Sequence, residues 1–166
     1  VNRPNGSPQM VSCASCTTNC IAPVVEVARR RLQAERAVMT TMHAYTGNQR
    51  LVDGPSSNFR RGRAGAANLV PTSTGAAGAT VRAVPELDGC FDGIAIRAPI
   101  TVRSIADIIA DPRGAVVDLD LTRVVDQTLI KIMAWYDNEW GFTHQMVREA
   151  RTALGLPQTR RQETRP

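Results

Sequence analysis

From Asn19 to Gln33 apolar residues return at helical spacing, at Ile21, Val24, Val25, Ala28 and Leu32. The pattern predicts a helix capped by Thr18, with Pro23 in its first turn and Arg29, Arg30 and Arg31 at its C-terminal end, where the dipole favours cations. In RAVMTTMHAY the period changes to two. A strand is expected there, with Val38, Thr40, Met42 and Ala44 on one side and Met39, Thr41, His43 and Tyr45 on the other. GNQRLVDGPSSNFRRGRAGAANLVP reads as a long, turn-rich connection with room for one short helix. STGAAGATVRAV predicts a helix stopped by Pro85, and GIAIRAP and LIKIMAWY predict strands. On GIAIRAP, Ile94 and Ile96 are expected to enter the core while Arg97 points the other way, into a polar site. Met146, Val147, Ala150 and Leu154 mark a last helix ending at Gly155, and a polar tail follows. Strands and helices in mixed order predict an α/β or α+β domain.

A length of 166 residues suits one domain, and 43% hydrophobic with 21% charged residues is the composition of a folded chain. No apolar run approaches the ~20 residues of a membrane span. The opening VNRPNGSPQM lacks the pattern of a secretory signal, so a soluble, cytoplasmic protein is expected. The net charge of +5 raises the question of a polyanionic partner. Nineteen of the twenty basic residues are arginine, only Lys131 being lysine, and a coding bias toward arginine explains this more simply than a nucleic-acid surface. Seven aromatic residues suggest no base-stacking platform. No GxGxxG follows a strand, so no dinucleotide-binding (Rossmann) domain is expected in this chain.

The chemistry concentrates in SCASCTTNC, which holds Cys13, Cys16 and Cys20; the fourth cysteine, Cys90, lies in LDGCFDG. Three crowded cysteines do not form a secreted disulfide framework, and reduced thiols are expected. Cys16, at a helix start, meets unpaired N–H groups that lower a thiol pKa. A base must accompany it, and the chain offers His43 on a strand and His144 in the last helix, where an exposed or capping role is expected. Spacing leaves other readings open: a Cys13–Cys16 redox pair, a zinc site of Cys13, Cys16, Cys20 and His43, or, for Cys20, a small buried hydrophobe.

ASCTTNCIAP, TTMHAYTGNQRLVDGP, RRGRAGAANLVPTSTGAA, VPELDGCFDGIAIRAP and KIMAWYDNEWGF occur in this order, and together they closely resemble the catalytic domain of the phosphorylating glyceraldehyde-3-phosphate dehydrogenases. The resemblance implies an α+β fold, a mixed β-sheet with helices on one face, at residues 11–155. Residues 1–10 are similar to the end of a preceding nucleotide-binding domain, and 156–166 form the tail. The stretch between 100 and 128 is shorter than in the family, because RAPITVRSIADI resembles one strand and DIIADPRGAVVDLDLTRV a segment well downstream.

By the same resemblance Cys16 is the nucleophile that forms a thiohemiacetal and then a thioester, and His43 is its base. Thr46 and Arg97 match a site for the phosphate of glyceraldehyde 3-phosphate, with Ser15, Thr17, Thr74 and Gly75 matching a site for inorganic phosphate. Asn138 matches the residue that holds the nicotinamide of NAD (or NADP), whose main binding site is absent from this chain. Arg60, Arg61 and Arg63 match a loop near a neighbouring subunit. The implied partners are the substrate, inorganic phosphate, and further copies in a family tetramer or full-length subunits to which this chain docks. No metal, membrane or nucleic acid is implied. Two departures stand out: Asn48 occupies a position that often contacts phosphate, and Phe142 replaces a frequent tyrosine.

Overall fold

The computed structural model describes residues 10–100 and 112–157. The remnant expected at 1–10 and the tail lie almost wholly outside these residues, as does 101–111 of the stretch expected to be shortened.

The first helix, α1 (Cys16–Leu32), begins three residues earlier than its apolar stripe suggests. Ser15, not Thr18, is the cap: its hydroxyl oxygen accepts from the Thr18 backbone N–H at 3.1 Å. The apolar periodicity starts only after this capped turn, which is why it hid the true boundary. Pro23 consequently sits two turns inside α1 rather than in its first turn. It leaves the Asn19 carbonyl without its helical donor. Gly114 fits against that carbonyl, where an added Cβ would come within 3.3 Å. Leu32, expected on the buried stripe, is half exposed at the helix end.

The strand β1 (Ala37–Ala44) pairs in parallel with β3 (Phe91–Ala98), which pairs antiparallel with the short β2 (Val70–Ser73), giving the order β1–β3–β2. Helix α2 (Ala76–Ala83) joins β2 to β3. Residues Val70 to Ser73, expected to finish a loop and start a helix, form the strand β2 instead. A four-residue strand containing Pro71 carries almost no periodic signal. Pro71 is tolerated because β2 is an edge strand. The short helix foreseen in the connection is a single 3₁₀ turn, Phe59–Gly62.

A second sheet is the hairpin of β4 (Val116–Val125) and β5 (Leu129–Trp135), followed by α3 (Trp140–Ala153). The strand β4 has no counterpart among the expected elements. Its VVDLDLTRVV alternates, but the pattern is blurred by a register irregularity between Asp118 and Arg123.

One face of the three-stranded sheet is covered. Val25 of α1, Met39 of β1, Ala76 and Ala77 of α2, Val84, Leu87 and Phe91 form its core. Fully burying a side chain such as Val, Leu or Met contributes roughly 1.5–3 kcal/mol, so this cluster fixes which face turns inward. The outcome reverses one expectation. Ile94 and Ile96 do not enter the core: Ile94 is half exposed on the opposite face with Val38 and Met42. Arg97 shares the covered face with His43, opposite which it is registered. The result is an α+β fold with helices on one face of the sheet.

The loop after β1 is drawn tight by close backbone approach. Arg50 N–H donates to the Arg61 carbonyl at 3.1 Å and Gly54 N–H to the Gly62 carbonyl at 2.9 Å. A Cβ on Gly62 would stand 2.6 Å from the Gly54 carbonyl oxygen and 3.4 Å from the Ser56 Cβ. Gly62→Ala is therefore expected to cost about 1–3 kcal/mol in urea unfolding, by forcing the two segments apart.

Candidate active site

Because Ser15 closes the cap, Cys16 is the first residue of α1. The turn before it is strained: Ala14 has φ 54°, a left-handed conformation that costs a residue with a Cβ roughly 1–2 kcal/mol. Two devices hold that turn. Ala14 N–H donates to Ser12 Oγ at 3.1 Å, and the Asn19 amide donates to the carbonyls of Cys13 (2.7 Å) and Ser15 (2.8 Å).

Opposite Cys16, near the C-terminal end of β1, stands His43, 8% exposed. Cys16 Sγ lies 3.5 Å from His43 Nε2, although 27 residues separate them. The other ring nitrogen, Nδ1, is 2.8 Å from the Ala44 carbonyl oxygen. A carbonyl only accepts, so Nδ1 carries the proton and Nε2 of the neutral ring offers a lone pair. Cys16 S–H therefore donates to Nε2. The Ala44 carbonyl also accepts from Arg97 Nη1 at 3.2 Å, so one peptide oxygen orients both the base and the guanidinium.

The electrostatics differ from the expectation of a thiol lowered by its helix end. Burial pushes the Cys16 thiol up, opposed by donors from Thr17, by its own N–H and by the charge of Arg97. Burial pushes His43 down; the Ala44 hydrogen bond opposes this and Arg97 adds to it. Both groups are thus neutral at neutral pH in the ligand-free site. A thiolate at Cys16 would then have to form by moving one proton along the S–H···Nε2 hydrogen bond.

Tyr136, which the sequence reading passed over, knits the site together. Its hydroxyl lies 2.9 Å from both Thr17 Oγ1 on α1 and Thr41 Oγ1 on β1. Its ring stands 6.0 Å from that of His43. With one proton to give and two lone pairs, it can donate to at most one of the two threonines and accept from the other or from both. This bond pair joins the end of the hairpin to the sheet and to the helix that begins at Cys16. The expected strand LIKIMAWY contains Tyr136, and nothing in its spacing marked it for such a role.

The remaining candidates fall into two groups. Ser15 and Thr17 adjoin the sulfur, with the Ser15 hydroxyl occupied in capping. Thr46 follows β1; its N–H and hydroxyl reach Gln49 Oε1 at 3.0 and 3.3 Å. Arg61 Nε donates to Thr72 Oγ1 at 3.2 Å, and its charge is felt at Arg97, so of the three loop arginines this one turns inward. Arg63 pairs with Asp53 at 2.8 Å, and Arg60 is exposed. Asn48 is exposed as well. Thr74 and Gly75 lie at the far end of β2, beyond the pairing of Ser73 with Ile94, about 10–13 Å along β3 from Arg97. There Thr74 Oγ1 accepts the N–H of Ala76, the first residue of α2, at 3.1 Å, while Gly75 is the N-cap.

Asn138 is half-buried in the turn before α3, beside Asp137, whose carboxylate accepts the N–H groups of Glu139 and Trp140. His144 is exposed one turn inside α3, its ring 4.8 Å from that of Trp140. Cys20 is buried, its thiol pushed up to about 12 mainly by burial. All four cysteines are free. Among the described residues no group of three or more His, Cys, Asp or Glu side chains stands together to hold a metal ion, and no helix is long and apolar enough to cross a membrane.

The chain as a whole is similar to proteins of one family. A family model described as the glyceraldehyde 3-phosphate dehydrogenase C-terminal domain matches residues 15–111. The chain is 38% identical over 184 aligned positions to a glyceraldehyde-3-phosphate dehydrogenase of Mycobacterium leprae, covering 86% of this chain and 54% of that protein. It is 35% identical over 179 positions to glyceraldehyde-3-phosphate dehydrogenase 2 of Streptomyces avermitilis (83% and 53%) and 37% identical over 190 positions to glyceraldehyde-3-phosphate dehydrogenase 3 of a Nostoc strain (89% and 56%). The chain spans about half the length of these relatives. On this match and this fold, the chain belongs to the glyceraldehyde 3-phosphate dehydrogenase family, in its C-terminal domain.

Proposed function

We propose that the chain carries the acyl-transfer chemistry of a phosphorylating glyceraldehyde-3-phosphate dehydrogenase, acting on an aldehyde phosphate in the cytoplasm. The observation that carries this reading is the 3.5 Å approach of Cys16 Sγ to the unprotonated nitrogen of His43. The Cys16 proton passes to His43 Nε2 as sulfur bonds to the aldehyde carbon. His43 then returns that proton to the new alkoxide, giving a thiohemiacetal. His43 would next take the hydroxyl proton of the thiohemiacetal as that carbon is oxidised, and a thioester on Cys16 would remain. A phosphate oxygen attacks the thioester carbon, the C–S bond breaks, and the thiolate leaves with 1,3-bisphosphoglycerate as product. Throughout, the positive charge of Arg97 favours the anionic sulfur and the phosphates.

NAD (or NADP), when bound, supplies the hydride acceptor. The residues here fit only its carboxamide end: among the described residues the Asn138 side chain takes no hydrogen-bond partner, and it stands on the turn that follows Tyr136. Among the described residues nothing comparable is offered to the adenosine and pyrophosphate, which a nucleotide-binding domain would hold. The aligned stretches are longer than the part of the chain they take in, which supports a catalytic domain shortened between 100 and 128. The test is reduction of NAD with glyceraldehyde 3-phosphate and phosphate, on this chain alone and mixed with an isolated nucleotide-binding domain. Activity in the mixture supports the reading. Without it, and without a thioester on Cys16 by mass spectrometry, the reading fails.

A second reading is a non-catalytic partner that docks into full-length subunits, in the manner of the family tetramer; membership of that family supports it. Co-elution with a complete relative in size-exclusion chromatography is its expected sign, and separate elution removes it.

Gly75 separates binding from stability. Its φ is −79° and nothing lies within 4 Å of where a Cβ would stand, so the fold itself does not require glycine there. Gly75→Ala should shift stability by no more than about 0.5 kcal/mol. It should weaken the half-saturating phosphate concentration in the assay severalfold, because the methyl group occupies space at the N-terminus of α2.

A further inference from the structure

We infer that Asn19 is a positioning residue for Cys16: its amide orients and polarises the Ser15–Cys16 peptide, whose N–H faces the chemistry at the sulfur. This rests on the reading of Cys16 as the nucleophile. The inference begins with an unusual use of both amide hydrogens. Asn19 Nδ2 donates to the carbonyls of Cys13 at 2.7 Å and Ser15 at 2.8 Å, on either side of the left-handed Ala14. A short side chain thereby pins the one strained turn next to the nucleophile, and strain of this kind persists only where neighbours over-determine it.

The second link is the peptide plane. Ser15 C=O and Cys16 N–H belong to one trans peptide, so fixing the direction of the oxygen fixes the hydrogen in the opposite sense. The Ser15 carbonyl accepts twice from Asn19, from the side-chain amide and from the backbone N–H at 2.9 Å. A carbonyl that accepts two hydrogen bonds makes the N–H at the other end of its peptide a stronger donor. That N–H lies in the first turn of α1, where no helical acceptor is available to it. It is among the donors that favour the charged form of the Cys16 sulfur. An oxyanion forming on a carbon attached to that sulfur would find the same donor. Asn19 thus acts two bonds away from the reaction, through the Ser15–Cys16 peptide.

The test is the pH dependence of iodoacetamide alkylation of Cys16 in the 166-residue chain, read by peptide mass spectrometry with Cys90 as internal control. Asn19→Asp keeps the shape but has no amide hydrogens to donate, and Asn19→Ser removes them without adding charge. The expected result is a midpoint raised by about one pH unit in both variants, a roughly tenfold slower reaction at neutral pH, and a nearly unchanged plateau at high pH. A role in folding alone would lower the urea midpoint of unfolding and leave the alkylation midpoint in place. An unshifted Cys16 midpoint in either folded variant overturns the inference, as does loss of the fold in both. If wild-type Cys16 reacts no faster than Cys90, the functional reading itself falls, and Asn19 with it.

Discussion

His43→Gln should slow the reaction of Cys16 with iodoacetamide at neutral pH by about 10²-fold, with Cys90 unaffected. The reason is the direction of one hydrogen bond. Nδ1 is committed to the Ala44 carbonyl, so Nε2 is the only ring position able to take the thiol proton, and it lies 3.5 Å from the sulfur. Without that acceptor, burial of the thiol is uncompensated by any base, and the reactive form becomes scarcer. The dependence on pH has a definite sign. Burial holds His43 below its ordinary range, so the base stays unprotonated through neutrality and the wild-type rate falls only at more acid pH. In His43→Gln that acid limb should vanish, leaving a single rise at alkaline pH from direct ionisation of the thiol. An unchanged rate at neutral pH in a folded His43→Gln protein would separate the histidine from the chemistry.

Alkaline pH should destabilise the fold through Cys20. This thiol holds its proton up to about 12 in the folded chain, against an ordinary value of 9.0. The folded pKa lies above the unfolded one, so the stabilisation is complete below pH 9.0 and is lost as pH rises toward 12. Each pH unit of that interval is worth about 1.4 kcal/mol, or about 4 kcal/mol across it. Cys16 and Tyr136 are raised in the same direction by burial and add to the loss. Urea unfolding of wild type and Cys20→Ala, compared between about pH 8 and pH 10.5, isolates the contribution. The wild-type chain should lose about 2 kcal/mol more than the variant over that range. Parallel losses would show that the Cys20 proton is not linked to folding.

The residues that could be read from sequence are those whose signal is local. The period-two run of β1 placed His43 on one face, and Cys16 stood beside a helix start that needed only its cap corrected from Thr18 to Ser15. What stayed hidden depends on distant pairing. Nothing near Tyr136 in sequence reveals that its hydroxyl reaches Thr17 and Thr41, 119 and 95 residues away. Strand β4 alternates, but its irregular register masked it, and β2 is too short for a period to emerge. The face of β3 was misassigned because two isoleucines outweigh one arginine in any apolar count. In the fold, β3 turns Ala95 and Phe91 inward and carries Arg97 with them to the side of His43. The thiol was expected to be lowered by its helix terminus, yet its own burial is the larger influence, and burial is not legible from spacing.

The proposed chemistry requires a sulfur whose proton can be handed to a neighbouring imidazole. Peptide-resolved alkylation of the native chain by iodoacetamide at neutral pH measures that property directly, with Cys90 as a half-buried thiol that has no such base. Cys16 should be modified at least about tenfold faster than Cys90. Equal rates, or a faster Cys90, would mean that the short distance between Cys16 and His43 conveys no reactivity.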